Sequence, residues 1–249
     1  MPFRKQRVDK QSKKMAQLKQ QVIRRKTAPP KTLKTLDALP KTATMPNKDL
    51  AKIAHKPQFP IIVTAYTVTS HLGDYYKKAI ARFTKSCIKH DLKHIVYPLN
   101  GVGDWVKGCN LKPTVILDAL ETFKQPILWI DADAVILKHP AVFDNPSFDM
   151  ALHVQGSGHW LSGTLYFSHN ATSFVKEWKK VTTTSTPDEI TLLNIYRNSN
   201  TKPKMHSLPP EYNQVVHAGT DLSKLVIGHY IRPDIAPSRG VKPILPSDL

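Results

Sequence analysis

The spacing of apolar positions along the chain changes several times, and each change marks an element. Residues 60–67, PIIVTAYT, are apolar and β-branched with little polar alternation, the pattern of a strand covered on both faces. Residues 74–90 then place Ile80, Phe83 and Cys87 at helical spacing. A second strand-like run follows at 94–99, HIVYPL. Over 112–123 the apolar positions Val115, Ile116, Leu117 and Leu120 predict a helix, with Pro113 in its first turn, where a missing N–H costs nothing. The run PILWIDADAVIL predicts a third strand that enters the core and breaks off at a carboxylate pair. Strand, helix, strand, helix, strand is the order of an open α/β sheet with parallel pairing. Further strands are expected at 148–154, 161–168 and 225–231, and helices at about 171–180 and 188–197. No internal repeat is visible.

Charge divides the chain in two. Of the 36 Lys and Arg and 19 Asp and Glu, residues 1–60 hold 16 and 3, a net of +13, which leaves 20 and 16, or +4, for the rest. Residues 1–58 therefore read as a basic arm: Met15, Leu18 and Val22 suggest a short amphipathic helix over 9–26, and prolines among Thr and Lys suggest a linker up to 58. A globular domain is expected over 59–249. Such an arm suits a polyanion, with nucleic acid, an anionic membrane surface and an acidic protein as candidates; a solvated leader is the plain alternative. The two cysteines, Cys87 and Cys109, match neither a metal pair nor a disulfide framework, and reduced thiols in a cytoplasm are expected (the host's, for a viral protein). No apolar run approaches the ~20 residues of a membrane span, and no signal-peptide core follows the basic first residues.

The chemistry concentrates at Asp131-Ala132-Asp133. An apolar strand ending in Asp-x-Asp puts carboxylates at the carboxyl edge of a parallel sheet, where open α/β sheets bind ligands. Two carboxylates so close repel one another and call for a cation or strong donors. Mg²⁺ or Mn²⁺ suits oxygen ligands and accepts phosphate oxygens as well.

This segment and several others resemble the GT-A glycosyltransferases, in which an Asp-x-Asp motif follows an apolar strand. The resemblance covers roughly residues 60–233. TAYT at 64–67 looks like a loop that meets the nucleotide. Lys112-Pro113 opens the helix before the motif. Leu161-Ser162-Gly163-Thr164, followed by LYF, resembles the segment lining the sugar pocket. Asp188-Glu189 with Leu192, Leu193 and Asn194 resembles the helix near the donor sugar. LPPEYNQV at 208–215 precedes IGHYIRP, whose His229 resembles the late histidine that completes the metal site, a layout closest to retaining members. The resemblance implies a GT-A-like, mainly parallel twisted sheet flanked by helices, behind the basic extension. It further implies transfer of a sugar from a nucleotide-diphosphate donor, a UDP-sugar foremost, to a hydroxyl acceptor. Asp131, Asp133 and His229 would hold Mn²⁺ or Mg²⁺. Thr64, Tyr66, Lys112, Asp131, Ala132 and Gly163 would meet the donor, and Asp188 and Glu189 would shape its sugar pocket as the catalytic pair.

Other readings use the same residues. A hydrophobic strand followed by Asp-x-Asp also opens haloacid-dehalogenase-type phosphatases, with Asp131 as nucleophile and Asp133 as acid/base. That motif usually begins its domain, whereas here about 70 residues of globular pattern precede it. A GT-A fold that binds nucleic acid without turnover is a third reading. For the acceptor, the +13 arm favours a polyanion, DNA first (a hydroxymethylated base of a viral or phage genome, for example), with a membrane surface as the rival. Trp160, in the polar stretch 155–160, suggests either a stacking platform or simple packing.

Overall fold

The computed structural model describes residues 59–68, 73–100, 105–183, 185–230 and 242. The expected arm, with its helix over 9–26 and linker to 58, lies outside the described residues, as does the chain from 231 on apart from 242. In order, the elements are β1 (Ile61–Val68), α1 (Gly73–Lys89), β2 (His94–Asn100), α2 (Trp105–Cys109), α3 (Lys112–Phe123), β3 (Ile127–Ile130), β4 (Ala134–Ile136), β5 (Met150–Val154), β6 (Trp160–Phe167), α4 (Thr172–Val181), α5 (Asp188–Asn198), β7 (Met205–Ser207), β8 (Gln214–Val216) and β9 (Ile227–Tyr230).

Six strands form the central sheet in the order β2-β1-β3-β6-β5-β7. β1 pairs in parallel with both β2 and β3, β6 is antiparallel to β3 and β5, and β7 is parallel to β5. Five strands thus run one way and β6 alone runs back. This is a mixed, mainly parallel sheet flanked by helices, as the alternating pattern predicts. The core between sheet and helices is closed by apolar side chains such as Ile62, Phe83, Cys87, Leu128 and Ile130. Phe143 stacks on Tyr166 with ring centroids 5.5 Å apart. All four residues of β3 are buried, which explains why the sequence there carries no polar alternation.

The continuous run PILWIDADAVIL is split between two sheets. β3 ends at Ile130; a turn closed by the Ala134 N–H on the Asp131 carbonyl (3.0 Å) redirects the chain. Ala134–Ile136 then pair antiparallel with β9 in a second sheet of order β4-β9-β8, Ala134 standing opposite His229. The sequence pattern gives no sign of this break, because both halves are apolar and both are buried. α1 clamps the second sheet: the Ile136 N–H donates to Ser86 Oγ at 3.1 Å. β7 and β8, three residues each, have no counterpart in the sequence reading. Among the described residues no helix is long and apolar enough to cross a membrane.

Candidate functional site

The turn at 131–133 stands at the carboxyl end of β3, and each of its carboxylates is fixed by a different sheet. The Asp131 N–H donates to the Gly163 carbonyl of β6 at 2.8 Å, extending the central sheet by one rung. The Asp133 carbonyl accepts from Tyr230 N at 3.0 Å, which starts the second sheet. Holding the two strands fixes the Asp131–Asp133 spacing, and His229 is brought in by β9. One oxygen from each aspartate and one ring nitrogen of His229 lie within 4.8 Å of one another.

The tautomer of His229 follows from its surroundings. Thr164 Oγ1 gives its only proton to the Tyr212 carbonyl at 2.8 Å, so at 3.1 Å it must accept from His229 Nε2–H. In the neutral ring the lone pair is then on Nδ1, which faces Asp133 Oδ1 at 3.5 Å. That oxygen is buried with no hydrogen-bond partner. A nitrogen lone pair directed at an orphaned carboxylate oxygen is repulsive unless a proton or a cation stands between them, and Asp131 beside them makes a shared cation site. The donor set, two carboxylates and an imidazole whose far nitrogen is held by a hydroxyl, is compatible with a divalent cation.

Gly163 makes room for this arrangement. A Cβ there would come 2.6 Å from Asn213 Oδ1 and 2.8 Å from His229 Cε1, so only glycine lets the ring approach β6. Asn213 is itself held by donating to the Leu161 carbonyl at 3.3 Å.

Behind the aspartates lies a buried charge network. Lys112, in the first turn of α3, places Nζ 3.1 Å from Asp131 Oδ1, 3.1 Å from Asp188 Oδ2, and 3.0 and 3.2 Å from Ser162 Oγ and O. Three ammonium protons thus face more acceptors than they can serve. Burial works against the charged Lys112, but Asp131 and Asp188 outweigh it and its pKa stands above the ordinary lysine value. Burial raises the Asp131 carboxyl above its usual range, opposed by Lys112 and reinforced by Asp133. Trp129 Nε1–H donates to Asp131 Oδ1 at 2.7 Å. Glu189 is also pushed up, by burial first and then by Asp188 beside it. Asp188 and Glu189 occupy the first turn of α5, as the sequence suggests, where the helix dipole favours acids.

Of the residues singled out in the sequence, Asp131, Asp133, His229, Gly163, Lys112 and Asp188 therefore come together, with Glu189 next in line. Ala132 is buried in the turn. Thr64 is fully buried on β1, one position past the last rung to β3, and its Oγ1 has no partner; Tyr66, two further along, is half-buried. Trp160 is buried and packs on Tyr196 at 5.3 Å, so it is a packing residue. The sequence reading placed Ser162 and Thr164 only within the sugar-pocket segment, not as partners of Lys112 and His229, and it missed Trp129. The two-residue period of a strand puts Trp129 and Asp131 on one face, and that signal was available.

No family model matches the sequence, and no curated protein does. Solved structures do match in shape. A glycosyltransferase involved in the glycosylation of the major capsid of PBCV-1 superposes with a TM-score of 0.53 at 14% identity, covering 68% of this chain and 92% of that one. The glycosyltransferase GlyE of Streptococcus pneumoniae TIGR4 gives 0.49 at 15% identity, over 70% of this chain and 55% of its own. At such identities the likeness is one of fold. This chain has the mixed α/β fold of the PBCV-1 capsid glycosyltransferase, with helices on a mainly parallel sheet.

Proposed function

We propose that the protein is a metal-dependent glycosyltransferase that moves a sugar from a nucleotide-diphosphate donor to a hydroxyl acceptor. The observation that carries this reading is the His229 Nδ1 lone pair facing the orphaned Asp133 Oδ1, at the sheet edge where Asp131 also stands. A divalent cation held by Asp131, Asp133 and His229 supplies positive charge for the two phosphates of the leaving nucleotide. The rest falls to the chain's own groups. Tyr66 and Ala132 would stand at the edge where the nucleotide enters, with Thr64 buried behind them on β1. Gly163 lets Asn213 and His229 pack against β6, which sets the wall the donor sugar would meet. Asp188 and Glu189, at a helix start, offer carboxylates to the sugar hydroxyls, and Lys112 holds Asp188 and Asp131 at fixed distance. The late histidine favours the retaining course, with UDP-sugars the first donors to try.

The phosphatase reading fits less well. Asp131 accepts from Trp129 and Lys112, which leaves it a poor free nucleophile, and the third member of the cluster is a histidine and not a carboxylate. For the acceptor, the net +13 of residues 1–60 favours a polyanion, DNA foremost.

The test is a thermal-shift and donor-hydrolysis screen of UDP- and GDP-sugars with Mn²⁺ or Mg²⁺, on the wild type and on Asp133→Ala. Stabilisation by one sugar nucleotide that needs metal and vanishes in the variant is the expected result. Hydrolysis of simple phosphate esters with no response to any donor overturns the reading.

A further inference from the structure

Between Lys77 and Lys89 the outer face of α1 carries charge of one sign. Phe83 and Cys87 turn inward to the core. The exposed positions are Lys77, Lys78, Ala81, Lys85, Ile88 and Lys89, which fall within one third of the helical wheel. Not one of them is acidic. No ion pair involves any of these four lysines among the described residues, whereas Lys176 on α4 pairs with Glu121 at 2.9 Å. Arg82 flanks the stripe, half-buried, with Nε and Nη2 lacking any hydrogen-bond partner. Lys93, also exposed, follows past the helix end, with the exposed Asp91 between it and Lys89; its carbonyl accepts from Ile62 N at 3.0 Å, close to where the chain enters β1 from its basic first 60 residues. At the other end, Tyr75 Oη donates to the Tyr230 carbonyl at 3.0 Å, next to His229.

We propose that this face of α1 is a docking surface for the phosphate backbone of a nucleic acid, running from the chain's entry at β1 to the edge that bears the Asp131–Asp133–His229 cluster. From Lys77 to Lys89 the helix rises about 18 Å, a length over which duplex DNA presents roughly ten phosphate charges. Each of the four lysines therefore has phosphates within reach along that length. An anionic bilayer offers headgroup charge too, but helices that bind bilayers add an apolar face of several large side chains. Here the stripe has Ile88 alone, 66% exposed, and the other large exposed apolar residues, Val181, Ile190 and Leu222, sit on other elements. Lysine without arginine, asparagine or aromatic side chains on the stripe points to backbone contact that does not read sequence. The surface needs no donor and no turnover, so it stands or falls apart from the sugar-transfer reading.

The test is fluorescence anisotropy of the full chain on a labelled DNA duplex across a series of KCl concentrations. It compares the wild type, a variant with Lys77, Lys78, Lys85 and Lys89 all changed to Gln, and a control with Lys179, Lys180, Lys202 and Lys204 changed to Gln. Both variants lose the same charge from exposed positions, and the control positions lie on α4 and beside β7, at the far end of the sheet from β2. The first 60 residues are present in all three, so differences report the stripe. For the α1 variant the slope of log affinity on log salt should shrink by about three to four, near one per lost phosphate contact, and affinity should fall at least ~10-fold. The control should keep most of its slope, and all three should melt together. Equal losses in both variants overturn the proposal, as does an unchanged slope. So does a wild type that binds phosphatidylserine vesicles through these lysines while its DNA binding survives their removal.

Discussion

Lys112 Nζ lies 3.1 Å from Asp188 Oδ2, with the two side chains only 5% and 3% exposed, and this pair joins the first turn of α3 to the first turn of α5. Removing one member of a buried pair leaves the other charge without compensation. Lys112→Met is therefore expected to cost about 3–5 kcal/mol of stability, and combining it with Asp188→Leu should recover part of that loss. Denaturant unfolding of the single and double variants checks it. A single variant within about 0.5 kcal/mol of wild type, the scatter of ordinary surface substitutions, shows that the network is not built as described.

Thr164 acts on the cluster only through His229. Thr164→Val removes the acceptor for Nε2–H and frees the ring to change tautomer, while keeping the volume of the side chain. Mn²⁺ affinity is expected to drop roughly 10–100-fold, the usual effect of losing an outer partner of a ligand histidine. Calorimetric titration of the donor-free protein measures it. Thr164→Ser, which keeps the hydroxyl, should restore most of the affinity.

Gly163→Ala inserts a methyl into a gap that Asn213 and His229 already fill to 2.6 and 2.8 Å. Overpacking of this kind costs about 1–3 kcal/mol, a fall in Tm of several degrees for a domain of this size. The displaced ring should also weaken Mn²⁺ binding. A variant that melts with the wild type and binds the metal equally well speaks against the close approach.

Burial pushes the Cys87 thiol up to about 12. Cys109 is likewise raised to about 12, by burial first, with Asp131, Asp188 and Glu189 adding and Lys112 opposing. At pH 8 such a thiol is about 10⁻⁴ thiolate, against roughly a quarter for a free cysteine, so both should react about 10³-fold more slowly with a disulfide reagent than in the unfolded chain. Since the folded pKa exceeds the unfolded one, these thiols leave stability whole below about 8.5 and erode it as the pH climbs toward 12. Labelling rates across that range give the direct measurement, and fast labelling of the folded protein at pH 8 contradicts it.

The order of β1, α1, β2, α3 and the start of β3 was legible in the sequence, because each is long enough for its period to show which side chains avoid water. Asp131, Asp133 and His229 were legible as a set, the first two from their place after an apolar strand and the third from resemblance. The spacing of the pattern carried no sign that Ala134–Ile136 leave the central sheet, since apolar residues buried in either sheet look alike. β7 and β8 escaped for a related reason: three residues are too few for a period to register, and their pairing partners lie far along the chain.

The sequence by itself determined which residues are hydrophobic enough to be buried, where the helices begin and where carboxylates interrupt an apolar run, because all of these depend on neighbours in the chain. Only the tertiary structure decided that Lys112 balances Asp131 and Asp188, that Thr164 sets the His229 tautomer, and that Gly163 must lack a side chain. Each of these is a distance between residues remote in sequence, and such distances are set by how sheets and helices pack.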